Sequence, residues 1–171
     1  MPASHPVGAN IDRMGDSTSA DFMQAFVDQY RAVHRAIREQ ISHLDPAALG
    51  WAPCEGANSI AVLVTHITGS EIEAVRTLAG VASDRDRPSE FEVREADAES
   101  LLALVDRAEA TLAELAPKIG AEQLAADHVR PASLDKTPRP GVHVLMHSLA
   151  HAREHVGQIM LTRQLAPQAK G

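Results

Sequence analysis

Residues 98–119 read AESLLALVDRAEATLAELAPKI, and the pattern in this stretch decides the fold class. Leu101, Val105, Ala108, Leu112, Leu115 and Ile119 step by alternating fours and threes. On an α-helix that spacing lines up six apolar side chains in one stripe, the seam of a helical bundle. Asp97 is placed to cap the start of this helix. Pro117 is expected to fray its last turn, and Gly120 to close it.

Three further segments follow the same period. A first helix is expected from about Asp21 to His43, capped by Thr18 or Ser19, with Phe22, Phe26, Val33, Ile37, Ile41 and Leu44 on its apolar face. Asp45-Pro46 ends it. A second runs from about Ser59 to Ala79, with Asn58 or Ser59 as N-cap and Gly80 as its stop. A fourth runs from Pro140, which suits a first helical position, to about Gln164. The expected fold is all-α, a four-helix bundle over residues 18–166. Residues 1–17 are expected to form a flexible N-terminal segment, and residues 167–171 a short polar tail. The connections at 81–96 and 121–139 are long enough to cross a bundle, at roughly 3.3 Å per residue. Both read as loops, Phe91-Glu92-Val93 included.

Composition agrees. The chain has 171 residues, enough for one domain with a core of its own. Hydrophobic residues make up 44% but aromatics only 3%, so the apolar content is chiefly Ala, Leu, Val and Ile. Ala and Leu are strong helix formers. With 23 acidic and 16 basic residues the formal charge is -7, and no basic run stands out, which argues against nucleic acid as a partner. No apolar stretch approaches the roughly 20 residues that span a bilayer, so no membrane partner is expected. Met1 to Gly15 lacks the apolar core of a signal peptide. A single cysteine, Cys54, excludes an internal disulfide framework and fits a reducing compartment. The expected location is the cytoplasm.

The chain carries nine histidines. Four of them, His143, His147, His151 and His155, recur at four-residue intervals on the fourth helix. Residues four apart lie one turn above each other, and two imidazoles so placed can address one ion at Zn–N distances of about 2.0–2.1 Å. Each step drifts about 40°, so the row spirals and four cannot share one centre. Leu145, Leu149, Ala152, Val156 and Ile159 mark the core side, while Arg153 and Glu154 mark the solvent side. On that wheel His155 lies nearest the core, then His151, then His147, with His143 towards water. His151 and His155 are therefore the best ligand pair, and His147 a group that faces substrate or supports the ligands. The plain alternative is a row of solvated histidines. His66 lies at the margin of the second helix's apolar face, where a histidine is more often packed than ligating. Glu71 falls near the centre of that face, among Ile60, Val64, Ile67 and Val75. A carboxylate there should have a partner, an imidazole N–H or a backbone group, because burying it unpaired costs several kcal/mol; the alternative is that it lies at an exposed seam. His34 and His43 read as outer-rim residues of the first helix, His5 and His128 as loop residues, and Cys54 as an inert lone thiol.

Two segments resemble the DinB/YfiT-like superfamily. Asn58-Ser59-Ile60-Ala61 leading to His66-Ile67-Thr68-Gly69-Ser70-Glu71 is similar to its second-helix motif. His147-Ser-Leu-Ala-His151-Ala-Arg-Glu-His155-Val-Gly157-Gln158-Ile159 is similar to its fourth-helix motif. Leu49-Gly50-Trp51-Ala52-Pro53 resembles the usual approach to the second helix, and the similarity spans nearly all of the chain after residue 20. The resemblance implies up-down-down-up topology and a homodimer. It also implies a divalent metal, nickel or zinc, held by His66, His151 and His155 with coordination positions left open. Relatives include S-transferases and isomerases that use the low-molecular-weight thiols mycothiol or bacillithiol, and metal-dependent hydrolases. A metal-dependent enzyme acting on a small-molecule substrate is therefore the first expectation, with His147 or Glu71 as candidate proton carriers. The alternatives are a metal-binding, stress-response bundle without catalysis, and a bundle whose histidines are incidental.

Overall fold

A computed structural model describes the backbone of residues 8–166 and the side chains of residues 17–166. Residues 1–7 and the tail at 167–171 lie outside that range. The described chain is mostly helical: α1 (Gly8–Ile41), α2 (Pro46–Gly50), α3 (Ile60–Leu78), α4 (Arg87–Glu90), α5 (Ala98–Leu115), α6 (Ala121–Ala125) and α7 (Gly141–Leu165). A 3-10 turn, Ala116–Lys118, follows α5. Two short strands, β1 (Asp127–His128) and β2 (Arg139–Pro140), pair antiparallel ahead of α7. No helix among the described residues is long and apolar enough to cross a membrane.

Local chemistry accounts for most boundaries. Ser59 caps α3 by accepting from the Val62 amide at 3.3 Å, and Asp97 caps α5 by accepting from the Ser100 amide at 2.7 Å. Gly80 follows α3 at φ 68, a left-handed conformation that suits glycine. The α-helix of α5 ends at Leu115 because Pro117 supplies no amide hydrogen, and the chain tightens into the 3-10 turn. Gly120 precedes α6 instead of ending α5. Pro140 is the residue before α7, not its first member. The largest difference from the sequence reading is at α1, which begins at Gly8 and runs through Thr18 and Ser19 instead of starting beside them. No proline lies between Pro6 and Pro46 to stop it.

Four long helices share one core. Tyr30, Ile37 and Ile41 of α1, Ile60, Leu63 and Ile67 of α3, Leu101 and Leu112 of α5, and Leu145 and Ile159 of α7 are all fully buried. Each such aliphatic side chain contributes about 1.5–3 kcal/mol by leaving water. α3 is the central element, with 14 of its 19 residues buried. It packs against α5 and α7, while α1 packs against the same two helices. Along α1 and α7, Arg153 donates to Gln29 and Arg163 donates to Gln40. Arg38 of α1 reaches Asp106 and Glu109 of α5. α3 is thereby covered on most sides, and its buried charged residues Glu71 and Glu73 find their partners inside the protein.

Candidate metal centre

The α3–α7 contact brings His66, His151 and His155 together. Each offers one ligand nitrogen, and the three atoms lie within 4.8 Å of one another. His66 Nε2 and His151 Nε2 are 3.0 Å apart. Two nitrogens at 2.0–2.1 Å from one tetrahedral ion would be roughly 3.4 Å apart, so the His66–His151 pair is close to a ligating separation. Among the described residues it is the one cluster of three such groups. The wheel's two preferred residues on α7 are both present, half-buried, while His147 and His143 are exposed.

Hydrogen bonding orients the rings. Glu90 accepts from His66 Nδ1 at 2.7 Å, and the Gln158 side-chain carbonyl accepts from His155 Nδ1 at 2.8 Å. An Arg85 nitrogen also lies 3.3 Å from His66 Nδ1, but the shorter carboxylate contact fixes the proton there. Both rings therefore present a bare Nε2 to the centre. His155 Nε2 is buried and meets no protein partner, which is the condition of a ligand nitrogen facing a cation. Burial, and then the neighbouring His155, hold the His151 pKa down to about 4, so its ring is neutral at pH 7. Burial lowers that of His155 as well.

Behind His66 lies an ionic cluster that the sequence reading did not find. Arg85 donates to Glu90 at 2.6 and 2.8 Å and to Glu73 at 2.8 Å. Arg130 donates to the same Glu73 oxygen at 2.9 Å and to Ser70 Oγ at 2.9 Å. The Ala132 amide adds a further bond to Glu73. Burial opposes the charge on Glu90, yet its bonds from Arg85 and His66 outweigh that and hold the carboxyl below its usual range. Burial likewise opposes the charge on Arg85, whose pKa nonetheless rises through Glu90 and Glu73. Burial dominates at Arg130, whose pKa is lowered. Gly69 makes the arrangement possible: a Cβ there would stand 2.3 Å from Glu90 Oε1.

Two residues, His34 and Glu71, lie elsewhere than the sequence suggests. His34 is not on the rim; it is fully buried, in the stripe between Tyr30 and Ile37. It is also the partner that Glu71 required, with its Nε2 2.8 Å from the carboxylate. Burial raises the Glu71 pKa. Residues 66 and 71 stand roughly 140° apart around the helix, so Glu71 faces α1 and not the trio. Glu73 and Ser70, seven and four residues beyond His66, share its side instead. Nearby, Tyr30 and Ser148 hydroxyls join at 2.7 Å in the core. Cys54 is exposed and free.

A cleft of about 180 Å³ opens beside His66 and His151, lined also by His147, Ser70, Arg85, Arg87 and Arg130. Continuing outward along α7, the rings of His151, His147 and His143 stand in near-parallel steps with centroids 6.3 Å apart. His128, read as a loop residue, lies in β1 and lines the adjoining cleft with His143 and His147.

A family model described as a protein of unknown function, DUF1572, matches residues 17–169. No curated protein matches the chain.

Proposed function

Since the chain belongs to the DUF1572 family, for which no activity is described, its own geometry carries the reading, and we propose that it is a divalent-metal-binding protein of DinB/YfiT-like type. In this reading the helices form an up-down-down-up four-helix bundle, and His66, His151 and His155 hold nickel or zinc. The function proposed is that of a metal-dependent enzyme acting on a small molecule, either a thiol-dependent S-transferase or a hydrolase. The observation that carries it is the convergence of three imidazoles on one point, two of them oriented by Glu90 and Gln158 and one with a buried, unpartnered Nε2.

A divalent ion there would supply Lewis acidity towards a thiol or a water molecule. The chain's residues supply the rest. Glu90 keeps His66 in the Nδ1–H tautomer, and Arg85 keeps Glu90 ionised. His147, exposed on the cleft wall one turn from His151, is the group placed to exchange protons with solvent. Glu71 has no part in this scheme, since its carboxylate is engaged by His34.

One observation favours the second reading, metal binding without catalysis. The cleft volume, about 180 Å³, lies below the roughly 300–1,000 Å³ common for ligand sites. Elemental analysis of protein purified without a metal column tests the common premise. About one equivalent of nickel or zinc is expected, lost in His151→Ala while the helical signal is retained. Full occupancy in that variant would sink the proposal. A screen of small thiols with electrophilic acceptors then separates the two readings.

A further inference from the structure

We propose that the cleft beside the histidine trio recognises an anionic tail on its substrate, a carboxylate or phosphoryl group, with Arg87 as the receiving residue. This deepens the metal-site reading and rests on it for which end of the substrate reacts.

The chain as a whole carries -7, yet three guanidiniums, those of Arg85, Arg87 and Arg130, line this one small cleft. Two buried carboxylates, Glu73 and Glu90, stand behind them. Arg85 is bound by both, and Arg130 shares Glu73. The remaining carboxylate on the wall, Asp135, accepts from the Thr137 amide and lies 3.8 Å from Arg139. That leaves Arg87. Among the described residues it makes no ion pair, and its guanidinium sits over the Phe91 ring at 5.1 Å. The ring of Phe91 in turn packs against His66, with centroids 4.9 Å apart.

Cation–π contact holds Arg87 in place without satisfying its five N–H donors, which form a planar fork suited to two oxygens of a carboxylate or phosphoryl group. With Arg85 and Arg130 engaged by Glu73 and Glu90, and Asp135 beside Arg139, the charge on the wall left without an ionic partner is that of Arg87. A substrate whose reactive atom lies at the trio can thus place an anionic tail against Arg87. Phe91 spaces the two ends, because it touches both His66 and Arg87.

The test is calorimetric titration of succinate, 3-phosphonopropionate and acetate into nickel-loaded and EDTA-treated protein. Wild type, Arg87→Gln and Arg76→Gln are compared. Arg76 is an arginine outside the cleft that pairs with Asp84. In nickel-loaded wild type one of the two-headed anions is expected to bind at least tenfold more tightly than acetate. The better of the two identifies the tail. Arg87→Gln is expected to abolish this advantage while nickel content and acetate affinity stay unchanged, and Arg76→Gln to leave all three alone. An advantage that survives Arg87→Gln, or two-headed anions that bind no better than acetate, overturns the proposal. Protein that takes up no nickel refutes the metal reading alone. The anion site then stands on succinate or phosphonate binding to the EDTA-treated protein that falls at least fivefold in Arg87→Gln, and it fails without that loss.

Discussion

Gly69→Ala reverses the effect that the same substitution has in an ordinary helix. Gly69 lies inside α3, where replacing glycine by alanine normally stabilises by about 1 kcal/mol through helix propensity. Here the new methyl would stand 2.3 Å from Glu90 Oε1, 3.2 Å from its Cδ and 3.4 Å from Arg85 Nε. The carboxylate has to retreat, and it is held by His66 on one side and Arg85 on the other. Breaking one charge-assisted bond of about 1.5–3 kcal/mol outweighs the helical gain and leaves a net loss of about 0.5–2 kcal/mol. Losing the carboxylate that orients His66 should also weaken metal binding about 10–100-fold. Urea denaturation of the metal-free protein measures the first quantity, and nickel titration the second. Gly157→Ala is the internal control. Gly157 lies inside α7, and a Cβ there meets nothing within 4 Å, so that variant should gain up to about 1 kcal/mol. If Gly69→Ala is stabilised as much as Gly157→Ala and binds nickel as wild type does, the coupling of Gly69, Glu90 and His66 is refuted.

Other substitutions probe the supports of the site. Glu73→Ala leaves Arg85 and Arg130 short of their shared buried carboxylate, and about 3–5 kcal/mol of stability should be lost in urea denaturation. Leu145→Ala opens a cavity at a fully buried position of α7, at a cost of about 2–5 kcal/mol by the same measurement. Ser59→Ala removes the cap of α3 and should cost about 1 kcal/mol, with nickel affinity unchanged because no ligand moves.

What the sequence made legible is what depends on local periodicity. The α5 stripe and the inward pair His151 and His155 each follow from spacing along a helix, and the caps Asp97 and Ser59, the latter beside Asn58, from residue type. His66 joined them through resemblance to a known motif, since no spacing within α3 points it at α7. The misplacements have equally specific causes. Thr18 and Ser19 look like caps, but nothing breaks the helix before them. His34 lies between Tyr30 and Ile37 in an apolar stripe, and that signal was present; the residue type outweighed it. Glu71 was rightly expected to need a partner, but which helix supplies one is decided by packing. Glu73 was readable in principle, because it stands two turns beyond His66 on the same side. Glu90, Arg85 and Arg130 were not readable. They come from connections with no period, and only the closed structure sets them behind His66.

The stepped row of imidazoles on α7 has a practical consequence for the bench. His143 and His147 are exposed, one turn apart, and adjoin the trio. Such a pair is what an immobilised-nickel resin captures, so the folded chain carries its own affinity handle. It should be retained on the resin without a tag and elute early when His143 and His147 are both changed to glutamine. Nickel found after such a column would report the resin as much as the cell, and ion exchange is the preparation on which the metal content has meaning.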